Sequence, residues 1–175
     1  MEDADPSERA EALGRLIYDV LRTAAALVAA GDALVRPLGL TSARWQVLAM
    51  AGFRDPPGTV SDLARGLSLT RQSVQRVVDA LTRDGMVTGA QNPAHARARL
   101  IWVTPAGRAA LESAEALRLP WTEGLARQLA GHDAAAAEAL LQALSRALIA
   151  QTRPAQTPPA QTPPAQTPPA QTVPD

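Results

Sequence analysis

The chain has no cysteine and no lysine, and only three Trp, one Tyr and one Phe among its 175 residues. Without a thiol, a disulfide framework, a thiolate zinc site and thiol-based peroxide sensing are all excluded. Its two histidines, His95 and His132, are far apart in sequence and lack the close pairing of a metal site, so no metal is expected. No run approaches the ~18–20 apolar residues of a membrane span. The opening Met1-Glu2-Asp3-Ala4-Asp5 is acidic where a secretory signal would be basic. The expectation is a cytoplasmic protein with no membrane partner. No nucleophile–base constellation or phosphate-binding glycine loop is present, so neither enzyme activity nor a cofactor is expected. That every basic residue is arginine carries little weight, because genomic base composition explains it as readily as function does.

What remains is rich in alanine and leucine, which argues for a mainly α-helical protein. From Pro154 the sequence repeats Pro-Ala-Gln-Thr-Pro with a five-residue period and contains eight of the fifteen prolines. Such a segment buries too little surface to offset its ordering entropy, so residues 151–175 are expected to be a disordered, polyproline-II-biased tail. About 150 residues are left for folding, enough for one domain with a single core.

Net charge is zero but unevenly distributed. Residues 1–35 hold three arginines against seven acids, and residues 111–150 three against five. Residues 60–110 hold seven arginines against Asp62, Asp79 and Asp84 only. A phosphate-facing surface is therefore available locally, in the middle of the chain.

The periodicity predicts a helix over 7–35 with Ser7 as N-cap and an apolar stripe of Leu13, Ile17, Val20, Leu21, Leu27 and Val28. Pro37 and Gly39 break it. A second helix opens at Thr41-Ser42 and stops before the turn signal Asp55-Pro56-Pro57-Gly58. Thr59 and Asp62 form a capping-box pattern at a short third helix. Leu67 to Leu69 make a turn, Thr70 caps a helix from Arg71 to Arg83, and Asp84-Gly85 ends it. Met86-Val87-Thr88 and Leu100-Ile101-Trp102-Val103 read as a hairpin around an Arg-bearing tip. Thr104-Pro105 starts a helix to about Gln128, with Pro120 expected to kink it. Gly131 interrupts, and Asp133 caps a last helix with Leu140, Leu141, Leu144 and Leu148 on its apolar face.

On a helical wheel, Val74, Val77, Val78 and Leu81 share one third of the Arg71–Arg83 segment. Gln72, Arg76, Asp79 and Arg83 centre on the opposite face, with Arg71 and Gln75 at its edge. Arginine can bond guanine O6 and N7 together, and glutamine can do the same with adenine. A solvated surface helix would show the same pattern. The hairpin that follows decides between them, because a wing would set Arg97 or Arg99 beside the backbone or in a minor groove.

Residues 40–111 resemble the MarR (multiple antibiotic resistance regulator) family. The matching stretches are Leu40-Thr41 with Trp45 and Leu48; Val60-Ser61-Asp62-Leu63-Ala64; Leu69-Thr70-Arg71-Gln72-Ser73-Val74; Arg76 with Asp79 and Leu81; Asp84-Gly85-Met86-Val87; Asn92-Pro93; and Thr104-Pro105-Ala106-Gly107. Each alone is weak, but their order and spacing are specific. The resemblance implies a MarR-like winged helix-turn-helix domain over 1–150, mainly α with a small β-hairpin wing. Its DNA-binding lobe would span about 41–104, and N- and C-terminal dimerisation helices about 7–35 and 105–150. A homodimer would then offer two lobes to a pseudo-palindromic, double-stranded DNA operator, as a ligand-responsive repressor. Arg71, Gln72, Ser73 and Arg76 fall on recognition-helix positions, joined by Gln75 at the edge of the same face. Arg97 falls on the wing-tip arginine, with Arg99 beside it, and Asp79 where the family often pairs an aspartate with a wing arginine. Two departures stand out. The wing reads His95-Ala96-Arg97-Ala98-Arg99 where relatives carry Asp-x-Arg, and Ser68 replaces a common turn glycine.

Many relatives sense small aromatic or phenolic effectors between the dimer helices and the lobe. Tyr18, Arg22, Arg44 and Trp45 are the candidates here, the alternative being that the aromatics are core and the arginines pair with the acidic first helix. A reading from another class also stays open: a winged-helix protein-interaction module with a proline-rich, partner-binding tail.

Overall fold

A computed structural model of the chain describes residues 5–95 and 97–152, in two units that divide after Gln128 and are taken separately below. The proline-rich repeat and Ala96 lie outside the described residues. The first unit runs α1 (Pro6–Val35), α2 (Ser42–Gly52), α3 (Val60–Gly66), α4 (Arg71–Arg83), β1 (Val87–Ala90), β2 (Leu100–Val103) and α5 (Pro105–Gln128). The second holds α6 (Ala134–Thr152). Among the described residues no single helix is long and apolar enough to cross a membrane.

α1 begins one residue earlier than the sequence suggested. Asp5, not Ser7, is the N-cap, with no side-chain bond, and Pro6 takes the first helical position, where its missing N–H is no loss. A 3-10 turn, Arg36–Leu38, then leads to Gly39 in the left-handed region (φ 68°). Only Gly31 and Val35 of this thirty-residue helix are buried, so the stripe of Leu13, Ile17, Leu21, Leu27 and Val28 is exposed rather than part of the core.

The core lies in the lobe that follows. Val35, Leu40, Val47, Leu48, Leu63, Val74, Leu81, Val87 and Ile101 are buried together, with Ala114 from α5. At ~1.5–3 kcal/mol for each fully buried large aliphatic side chain, this cluster dominates the lobe's stability.

The helix ends within the lobe repeat one device at each end. Thr59 accepts from the Asp62 N–H (3.3 Å), while the Asp62 carboxylate accepts from the Thr59 N–H (2.9 Å) and hydroxyl (2.8 Å). These bonds, and secondarily Arg65, hold the Asp62 carboxyl below its ordinary value of 3.8. Thr70 caps α4 through the Ser73 N–H. α3 closes with Ser68 N–H on Arg65 O and Leu69 N–H on Ala64 O, and α4 closes the same way with Gly85 on Thr82 and Met86 on Leu81. Both closures need a left-handed residue, supplied by Ser68 (φ 54°) in one and Gly85 (φ 70°) in the other.

β1 extends two residues further than the pattern suggested and pairs antiparallel with β2, Val87 opposite Val103 and Gly89 opposite Ile101. Val87 and Ile101 face the core, while Thr88 and Trp102 face out. The Ile101 N–H donates to Gly58 O (2.9 Å) and a bridge joins Thr59 to Leu100, so the hairpin is fastened to the segment before α3. Thr104 caps α5 as expected, its hydroxyl accepting from the Gly107 N–H. Pro120 sits inside α5 without dividing it. In the second unit the Asp133 carboxylate accepts from the Ala136 N–H (3.0 Å), and Leu140, Leu141 and Leu148 remain about half exposed.

Two outcomes are expected. Thr59→Ala lowers stability by about 1 kcal/mol at neutral pH. Because Asp62 titrates lower in the folded state, its contribution is present above about pH 4 and disappears as pH falls through the folded value. The parent–variant difference in urea midpoint should therefore narrow in acid. In thermal denaturation, Gly85→Ala costs about 1–2 kcal/mol on conformational grounds alone, since nothing lies within 4 Å of the added methyl. Ser68→Gly gains about 0.5 kcal/mol, the relieved strain less the entropy of an unfolded glycine. Equal signs for the two would contradict the shared geometry.

Candidate nucleic-acid interface

The rotation of α4 follows from its apolar side. Val74, Val78 and Leu81 are buried and Val77 half-buried, which turns Arg71, Gln72, Arg76 and Asp79 to solvent. Among the described residues, the side chains of Arg71, Gln72 and Arg76 have no hydrogen-bond or ion-pair partner. The other two residues expected on this face are engaged. The Ser73 hydroxyl lies 2.8 Å from that of Thr70 and belongs to the N-terminal cap. The Gln75 amide donates to the Asp79 carboxylate (2.8 Å), one turn on, leaving its own carbonyl oxygen open.

That bond changes the reading of Asp79. Its described partner is Gln75 on its own helix, not a wing arginine. The wing is braced elsewhere: the Arg99 guanidinium folds back to donate to Gly89 O across the hairpin, Ile101 reaches Gly58, and the Thr104 hydroxyl donates to Gly85 O (2.7 Å). At the tip the Ala94 N–H donates to the Asn92 side chain, an Asx turn with Pro93 inside it. Arg97 has no partner among the described residues. Between α4 and the wing runs a groove of about 330 Å³ to which Arg71, Gln75, Asp79, Arg97 and Arg99 all contribute. Three guanidinium groups and one carboxylate, already satisfied, leave that groove electropositive.

The four candidate effector residues do not come together. Tyr18 is 73 % exposed on α1. Arg22 pairs with Asp19 of the same helix. Arg44 pairs with Asp84 at the end of α4, forty residues away in sequence. Trp45 lines a cavity of about 560 Å³ between α2 and α5 whose walls include Ala49, Phe53 and Leu111, and none of the other three is among its lining residues. Sequence reasoning missed this space because its apolar walls come from segments sixty residues apart. Its polar groups are Glu112, Glu115 and Arg118. The hydrogen-bonded Arg118 holds the Glu115 carboxyl below the usual range, and Glu115 in turn raises Arg118. The pair neutralises itself, so Arg118 is not a free partner for an anion.

Comparison with known proteins gives a consistent picture. A model of the MarR family matches residues 38–98. An uncharacterized protein of Mycobacterium tuberculosis is 33 % identical over 138 residues, covering 79 % of this chain and 93 % of that protein. The transcriptional activatory protein BadR of Rhodopseudomonas palustris is 33 % identical over 100 residues, 56 % of this chain and 57 % of BadR. Among solved structures, the M. tuberculosis transcriptional regulator MosR in complex with DNA is 30 % identical with a TM-score of 0.65. That match covers 78 % of this chain and 98 % of MosR.

Proposed function

Because the chain belongs to the MarR family of transcriptional regulators, we propose that it binds a pseudo-palindromic operator as a homodimer and represses the genes beside it until a small ligand releases it. The observation that carries this reading is the split of α4, with valines and leucine packed inward and the Arg71, Gln72 and Arg76 side chains exposed together, without a partner among the described residues. A major groove accepts a helix, and these side chains have the donors that base edges accept. Arg97 on the wing supplies the neighbouring contact to backbone or minor groove. Gln75 acts through its free carbonyl, Asp79 by holding Gln75 rather than the wing, and Arg99 by stiffening the hairpin.

Dimerisation is supported by the apolar side chains exposed among the described residues: Leu13, Ile17, Leu21 and Val28 on α1, and Leu140 and Leu141 on α6. Contiguous apolar side chains exposed along one helix face mark an interaction surface. Two lobes would then meet half-sites about one helical turn apart, ~34–36 Å. The DNA-binding lobe is placed at residues 41–104, between dimerisation helices at about 7–35 and 105–150, in a protein that works in the cytoplasm without catalysing a reaction. Repression demands least of the chain, since an occupied operator need only exclude polymerase. The name of BadR makes activation the outcome that a reporter assay must distinguish. For the effector, the cavity beside Trp45 has the volume and apolar walls that suit an aromatic or phenolic ring. Glu112 can accept from a phenol hydroxyl. Binding should quench Trp45 fluorescence, a change that Trp45→Phe would abolish.

Gel-shift titrations against the intergenic DNA upstream of the gene, at several salt concentrations, test the central reading. Sequence-selective retardation is expected. Arg76→Ala loses about 1–3 kcal/mol and relaxes discrimination at one base pair. Arg97→Ala weakens all sequences alike and makes the salt slope shallower by about one. No retardation even at low salt would instead favour a winged-helix module that holds a protein partner.

A further inference from the structure

The start of α2 and the end of α4 are joined by an ion pair that the DNA-facing surface does not use. Asp84 is the C-cap of α4, where the helix dipole disfavours a carboxylate, so its place there is not explained by the helix it ends. Arg44, in the first turn of α2, answers it. One terminal nitrogen of its guanidinium reaches the Asp84 carboxylate, and the other donates to Gly39 O (3.2 Å). Its Nε is buried without a partner among the described residues, and the side chain is only 20 % exposed. The start of α2 is itself locked to α1. The Asp32 carboxylate accepts from the Ser42 N–H, and Gly31 lies so close to the buried Ser42 that an added methyl would sit 2.2 Å from its hydroxyl.

We propose that Arg44 is a positioning residue for DNA binding: through Asp84 it ties the C-terminal end of the recognition helix to the α1–α2 joint, so that α1 and α4 turn as one body. This rests on the DNA-binding reading above. If two copies meet through α1, the angle held by this clamp sets how far apart the two recognition helices stand. Arg44 itself touches no nucleic acid. Its loss therefore acts on geometry, not on counterion release.

The test is a titration of the full chain against its selected operator and against operators with one base pair added to or removed from the centre, over a salt series. The variants are Arg44→Ala, Asp84→Asn and the exchange Arg44→Asp with Asp84→Arg. The exchange puts an acid at a helix start and a base at a helix end, where both dipoles favour them, so it is expected to fold. Asp84→Asn is a mild substitution at an exposed cap. Each single variant should lower operator affinity about tenfold, discriminate less between spacings and leave the salt slope unchanged. The exchange should return affinity to within about threefold of the parent. Single variants that bind like the parent, or a loss the exchange does not repair, would overturn the clamp. So would a slope shallower by about one, which would make Arg44 a phosphate contact. In all these cases the parent still binds selectively and the DNA-binding reading survives. A parent that binds no duplex selectively removes both.

Discussion

The burial of Val74, Val78 and Leu81 against Leu48 and Leu63 is the constraint on which the rest depends. A helix of thirteen residues has one rotational degree of freedom about its axis, and this packing removes it. Rotated by even one residue, about 100°, α4 would press Arg71 or Gln75 into a core with no polar partner, at a cost of several kcal/mol. The outward placement of Arg71, Gln72 and Arg76 is therefore a consequence of where the valines go. Chemistry and stability are written on opposite faces of the same turns.

Rotation alone does not aim a helix; its ends must be held too. At the N-terminus Thr70 caps α4 two residues after the left-handed Ser68, so the change of direction from α3 is made within a few residues. At the C-terminus Gly85 turns the chain straight into β1. The wing then returns through β2 to the segment before α3, where Ile101 meets Gly58. Helix and wing are thus fastened to the same segment before α3, and among the described residues no ion pair joins α4 directly to the wing. That explains how the wing can lack the acidic residue common in relatives and still be braced.

Much of this was legible in the sequence because it is local. Thr59 with Asp62, Thr70, Asp84-Gly85 and Thr104-Pro105 each declare a helix boundary through bonds made within three or four residues. The valine spacing declares which face of α4 is inside. The rest depends on long-range pairings that no local pattern encodes. Arg44 and Asp84 are forty residues apart, and the expected role of Arg44 at an effector pocket gave way to that pair. Gln75 and Asp79 stand one turn apart, and a wheel shows them as neighbours, but it does not say that the carboxylate will choose the amide over a wing arginine. The α1 stripe was read correctly as apolar, yet periodicity cannot tell a helix packed within its own chain from one left open. Asp5 and Pro6 displaced Ser7 because proline's fixed φ favours the first helical position even without a side-chain cap.

A chain of zero net charge looks ill-suited to a polyanion, and the structure resolves this through pairing rather than totals. Arg15, Arg22, Arg65 and Arg118 each sit three or four residues from an acid on their own helix and are locally neutralised. Arg71, Arg76 and Arg97, on the face formed by α4 and the wing, have no acidic partner among the described residues. At a Debye length of about 8 Å in physiological salt, more distant charges are largely screened, so the local balance of a docking face counts for more than the total of the chain. Net charge governs solubility and long-range steering. Affinity at contact is governed by the cations left unpaired on the docking face, and on α4 their outward placement follows from the inward packing of the valines.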